Sequence, residues 1–174
     1  MAYSTSEIVS RANKLVNMYG TRDPFQIAKR LNIIIKYCKL GRLRGAYKVI
    51  NRIGIIFINE ELDETEQRIV LLHELGHDRL HKTEAMVTGG FKEFQIFNMT
   101  RQRMEYEANI FAAQLELDDT EFLEYSECGY DVQQIASAMN SDINLISLKA
   151  DIMIAQGYRF RRQEYRNDFL RFNK

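Results

Sequence analysis

All three histidines of this 174-residue chain fall in one stretch, His73-Glu74-Leu75-Gly76-His77-Asp78-Arg79-Leu80-His81. On a helix, residues four apart lie on one face about one turn along, so His73 and His77 can present two imidazole nitrogens to one metal ion. Glu74 is rotated about 100° from His73, which puts its carboxylate beside such a metal without making it a ligand. From there it can take a proton from a water that the metal has acidified, and so act as a general base. The spacing His-Glu-x-x-His is the one used in zinc-dependent peptide hydrolysis.

Tetrahedral catalytic zinc takes three protein ligands and keeps one position open, so a third ligand must be found. His81 stands roughly 12 Å along the helix axis from His73 and about 80° around it, too far for one ion on a straight helix. It is read instead as a residue that orients the site, or that caps the helix's C-terminal end, where the dipole favours an imidazolium. Glu105 and Glu107 share a later helical stretch, and both stay open as ligands. The apolar stripe of that stretch, Met104, Ala108, Phe111, Ala112 and Leu115, lies closer to Glu105, so Glu105 is expected inward and Glu107 toward solvent. An inward acid is costly unless paired or metal-bound, which favours Glu105 as the third ligand. Asn109, one turn beyond Glu105, is expected either to hold a ligand in place or to make a helix–helix hydrogen bond. Tyr47, Tyr106 and His81 are candidate oxyanion donors.

The elements that must position these groups can be read from periodicity and caps. Ile69, Val70, Leu72, Leu75 and Leu80 give the histidine helix an apolar body, Gly76 leaves room for a close neighbour, and Asp63-Glu64-Thr65-Glu66 supplies an acidic, capped start. Upstream, a helix follows Ser6 and ends at Gly20, and a short one starts at Asp23-Pro24. Three β-rich runs, Ile33–Cys38, Arg44–Ile50 and Gly54–Asn59, have short connections that predict an antiparallel meander. A hairpin turn at Asn51-Arg52-Ile53-Gly54 would put the third strand at the sheet's centre or at the edge nearest the histidine helix. Residues 82–98, with Gly89-Gly90 and four large apolar residues out of helical period, read as a long loop, either a lid or a surface segment with tucked aromatics.

After the Glu105 helix the chain runs from Glu116 to Asp131 with seven acids and no base. Two helical stretches then follow, around Ile135 and Ile146, whose pairing is helix-turn-helix-like. The tail from Tyr158 carries six bases against two acids. The chain divides accordingly into a zincin-like part, residues 1–126, and a C-terminal helical extension, residues 127–174, expected to pack on the same domain. With 24 basic and 24 acidic residues the chain has no global charge to draw it to nucleic acid or membrane. Two distant cysteines form no disulfide framework or metal knuckle, and no stretch resembles a leader or a membrane span, so a cytoplasmic protein is expected.

Taken together, the Asp-Pro-Phe-x-Ile-Ala run at residues 23–28, the strand Ile55-Ile56-Phe57-Ile58-Asn59, the His73–His81 motif and Glu105-x-Glu107-Ala108-Asn109-x-Phe111-Ala112 resemble the ImmA/IrrE family of metallopeptidases. The resemblance implies that His73, His77 and Glu105 bind zinc and that Glu74 is the catalytic acid/base. It also implies a substrate: a helix-turn-helix repressor of a prophage or mobile element, cut so that repression is relieved. Many members continue past Phe-Ala with Leu-Leu-Met-Pro, where this chain has Leu115-Glu116-Leu117-Asp118.

The expected fold is therefore α+β, a mainly helical zincin-like domain with a small three-stranded antiparallel sheet and a helix-turn-helix-like C-terminal part. The expected function is zinc-dependent cleavage of a specific intracellular protein, with no direct nucleic-acid contact. Its rivals are a DNA-binding regulator, for which the second C-terminal helix offers only Lys149 as a base, and a metal-binding scaffold without proteolysis.

Overall fold

Side-chain caps fix where the helices of this chain begin. In the computed structural model, which describes residues 3–88, 91–93 and 103–160, Ser4 rather than Ser6 caps α1 (Thr5–Tyr19) through a reciprocal box with Glu7. Asp23 caps α2 (Pro24–Arg30), whose proline occupies the first turn, where a missing N–H costs nothing. Asp63 and Glu66 form a second box at the start of α3 (Glu64–Leu80), the histidine helix. Asp118, Asp131 and Asp142 cap α6 (Asp119–Glu127), α7 (Val132–Ala138) and α8 (Ile143–Ala155). Helix α6 lies in the acidic stretch to which the sequence assigned no element; Asp119 and Glu121 stand in its first turn, where the helix dipole welcomes them. Between α3 and α6 come α4 (Lys82–Thr88), β4 (Phe91–Glu93) and α5 (Arg103–Glu116). Part of the expected long loop is thus helix and strand; its remainder, 89–90 and 94–98, lies outside the described residues, as does most of the basic tail.

The sheet corrects the expected antiparallel meander. Strands β1 (Ile34–Cys38), β2 (Gly45–Ile50) and β3 (Ile53–Asn59) join β4 in the order β1-β3-β2-β4, a mixed sheet in which β1 runs parallel to β3. The turn begins at Asn51 as expected but takes two residues rather than four: Asn51 and Arg52 are both left-handed (φ 50° and 67°), and Ile53 already pairs with Ile50. The six-residue link 39–44 is loose enough for β1 and β2 to separate and admit β3 between them. Burial explains the choice: β3 is apolar and covered on both faces, whereas β1 is half exposed and suits an edge.

The sheet face carrying Gly45, Tyr47, Gly54, Ile56 and Ile58 packs on α3, and the opposite side of α3 packs on α5. Every residue of α5 from Glu107 to Glu116 is buried, because α3, α1 and α8 all lean on it. The apolar core runs without a break from Ile8 and Ile27 through Leu71, Leu72 and Phe111 to Leu145, Ile152 and Met153. Polar ties cross the same contact: Lys149 of α8, fully buried, reaches Gln114 Oε1 at 2.7 Å and pairs with Asp119, while Ser141 donates to Glu116, itself held by Arg68.

Two outcomes test this packing. A methyl group at Gly76 would meet the Cα and carbonyl oxygen of Ala108 at 2.9 Å, and backbone cannot step aside. Helix propensity favours alanine by about 1 kcal/mol, but forcing the helices apart costs about 1–3 kcal/mol, so Gly76→Ala should lower stability in urea unfolding despite its better propensity. Lys149→Ala should cost about 2–4 kcal/mol in the same assay and Lys149→Met less, since methionine keeps the buried stem.

Candidate metal centre

The seam between α3 and α5 gathers the residues singled out by the motif. His73 and His77, both buried, and Glu105, partly exposed, place one ligand atom each within 4.8 Å of the others. In detail, His73 Nε2 and His77 Nε2 are 3.1 Å apart, and Glu105 Oε2 lies 3.1 Å from the first and 3.4 Å from the second. Zinc held at about 2.0–2.1 Å by tetrahedrally arranged donors spreads them roughly 3.3 Å apart. The triangle therefore has the size of one face of such a tetrahedron.

The hydrogen bonds behind the triangle orient its lone pairs. Asn109 Oδ1 accepts from His73 Nδ1 at 2.8 Å, so of the two roles open to Asn109 it takes the one that holds a histidine. With Nδ1 engaged by Asn109, His73 turns Nε2 toward Glu105. Burial pushes the His77 imidazolium down to a pKa of about 4, against the pull of Glu105, so His77 is a neutral imidazole with a lone pair to give. Facing acceptors at 3 Å need a cation between them, and this donor set, two imidazoles and a carboxylate, suits zinc.

Glu74 is the second sign. Its carboxylate is wholly buried, and neither oxygen has a hydrogen-bond partner. Burial, and then the nearby charge of Glu105, hold its pKa well above the usual carboxylate range. Such an orphan is rare in a protein interior, and this one faces Gly45 of β2. A Cβ at position 45 would run into Val70 and stand 3.0 Å from Glu74 Oε1, so the glycine keeps the acid's surroundings open.

Other expectations need correcting. Glu107 does not point to solvent; it is more buried than Glu105, accepting from Arg103 Nε at 2.7 Å and from Tyr3 N at 3.2 Å. The sequence reading allowed α5 a single inward face, but α1 covers the side that carries Glu107. Burial opposes the Glu107 carboxylate, yet its bonds to His81, Arg103 and Tyr3 outweigh that and keep its pKa low. Tyr47 is no oxyanion donor in this arrangement, because its hydroxyl is buried and donates to Asp78 Oδ1 at 2.6 Å. Arg79 and Lys82 also hold Asp78, and this cluster ties α3 to the sheet one turn beyond Glu74. Tyr106 sits on the exposed side of α5. His81 is the C-cap of α3, but its ring turns inward, between His77 and Glu107. The i, i+4 spacing of His77 and His81 was the signal for that pairing.

A mixed sheet packed on a helix bearing His-Glu-x-x-His, with a glutamate delivered from the next long helix, is the arrangement of a metallopeptidase. The model of the peptidase M78 family, described as the IrrE N-terminal-like domain, matches residues 28–150, and the chain belongs to this ImmA/IrrE family of metallopeptidases. Among its relatives is "Uncharacterized immunity region protein 2" of Bacillus phage phi105, 32% identical over 143 residues that cover 82% of this chain and 88% of the relative. Metallopeptidase ImmA of Bacillus subtilis (strain 168) is 29% identical over 143 residues, covering 79% and 80%.

The orphaned carboxylate gives a test without substrate. Glu74 is a buried carboxyl whose ionisation the fold opposes, and Gln removes that cost, so metal-free Glu74→Gln should melt at or above the temperature of the metal-free wild type in a calorimetric scan at neutral pH.

Proposed function

We propose that this protein is a zinc-dependent endopeptidase in which His73, His77 and Glu105 hold the ion and Glu74 is the catalytic acid/base. The observation that carries the proposal is the pairing of a zinc-sized donor triangle with a buried carboxylate that has no other partner. Zinc at that place supplies Lewis acidity, polarising the scissile carbonyl and making water a better nucleophile. Glu74 takes the proton from the attacking water and returns it to the leaving amine, a cycle for which a raised pKa is an advantage at neutral pH. Glu105 repels the Glu74 anion and so keeps it ready to receive that proton.

The proposed substrate is a helix-turn-helix repressor, cut at one site in the cytoplasm. A relative named for a phage immunity region supports a regulatory target, since immunity is maintained by regulators. A direct role in reading DNA finds less support: Lys149, the only base of α8, is buried against Gln114 and Asp119, and the exposed side of α8 shows Ile143, Asn144, Ser147, Asp151 and Ile154. Among the described residues no helix is long and apolar enough to cross a membrane.

Elemental mass spectrometry of the purified chain should find about one zinc per wild-type molecule and much less in folded Glu105→Ala. Wild type should cleave the repressor encoded beside its own gene, and Glu74→Gln should keep its zinc while losing at least about 100-fold in rate. A folded wild type that stays metal-free when zinc is supplied overturns the metal assignment. A zinc-loaded wild type that leaves the repressor whole overturns the substrate.

A further inference from the structure

The polar chain behind His77 runs further than a metal site requires. His77 Nδ1 lies 3.1 Å from His81 Nδ1, and His81 Nε2 lies 3.0 Å from Glu107 Oε2. The other oxygen of Glu107 accepts from Arg103 Nε and from the backbone N–H of Tyr3, and Arg103 also donates to the Tyr3 carbonyl at 3.3 Å. His77, His81 and Glu107 are each at most 2% exposed, so water cannot replace these partners cheaply.

Proton counting gives the chain a direction. A carboxylate held by Arg103 and a backbone N–H accepts but does not donate, so His81 donates to it from Nε2 and keeps Nδ1 for the other ring. His81 Nδ1 is then an acceptor. The two Nδ1 atoms lie 3.1 Å apart, a hydrogen-bond distance, and with His81 Nδ1 accepting, the donor is His77 Nδ1. His77 Nε2 is thereby stripped of its proton and left pointing at His73 and Glu105.

We infer that His81 and Glu107 are positioning residues for metal binding: through a one-way chain of hydrogen bonds anchored on Tyr3 and Arg103, they lock His77 in the tautomer that offers Nε2 to the ion. Asn109 does the same for His73 in a single bond. The second imidazole is thus set by a relay that starts where the N-terminal segment meets α5. Carboxylate–histidine pairs of this kind also make the inner imidazole a stronger donor. The inference rests on the metal assignment proposed above.

The test is zinc affinity, measured by competition with a chelator of known affinity, on wild type, His81→Phe and Glu107→Gln, with circular dichroism to confirm folding. Cobalt-substituted samples add the ligand-field absorption as a second readout. His81→Phe removes the acceptor for His77 Nδ1 and should weaken zinc binding about 10–100-fold and shift the cobalt bands. Glu107→Gln keeps an acceptor but loses the charge, and can turn its amide toward His81, so a loss of about tenfold is expected. Folded variants that bind zinc within twofold of wild type, with unchanged cobalt bands, overturn the relay; if His81→Phe fails to fold, Glu107→Gln alone decides. A wild type that takes up no zinc is a different failure, because it removes the metal assignment itself.

Discussion

The distance between α3 and α5 governs the whole site, and Gly76 against Ala108 sets it. Two helices with ordinary side chains at their crossing keep their axes 8–10 Å apart. Here one side offers no side chain and the other only a methyl group, so a short carboxylate on α5 can reach imidazoles on α3. The sheet imposes a matching condition on the other side of α3, where Gly45 faces Val70 and Glu74, and Gly54 faces Asp78. The helix is held between a sheet that presents Gly45 and Gly54 to it and a helix that presents Ala108. Its polar groups therefore meet partners from both directions in a space with little room for water.

That confinement shows in how buried polar groups are treated. Asp78 has Tyr47, Arg79 and Lys82; Asn109 has His73; Lys149 has Gln114 and Asp119; Glu116 has Ser141 and Arg68. Each is the kind of arrangement that a folded interior needs. Glu74 breaks the rule, and it does so in the middle of the motif. Sequences tend to violate local consistency where they do chemistry, and the burial of an unsatisfied carboxylate is a cost that the fold must bear elsewhere.

The parts of this structure that were legible in the chain share one property: a short-range rule decides them. Helix caps at Asp23 and Asp63, the turn that begins at Asn51 and the shared face of His73 and His77 all follow from residues a few positions apart. Glu105 was harder, since it required ranking two acids two residues apart by rotation around α5. The ranking picked the residue that joins the histidines, but its premise of one inward face was wrong, and Glu107 was misplaced for that reason. The parallel pairing of β1 with β3 depends on which strand wins the centre of the sheet, a competition among non-local contacts that spacing cannot express. The acidic stretch that became α6 shows the same limit, because its helix is secured by Phe122 entering a core built from remote elements.

The donor triangle spans two helices separated in the chain by α4, β4 and the residues around them. An ion seated there is a cross-link as well as a reagent: it ties the far end of α3 to the start of α5 and closes a long loop of chain. Binding energy spent in that way is folding energy, available only to the native state. Under the proposed zinc assignment, a cell short of that metal would lose this protein by unfolding and degradation before it noticed a slower reaction, and the supply of a trace metal would set how long the protein lasts.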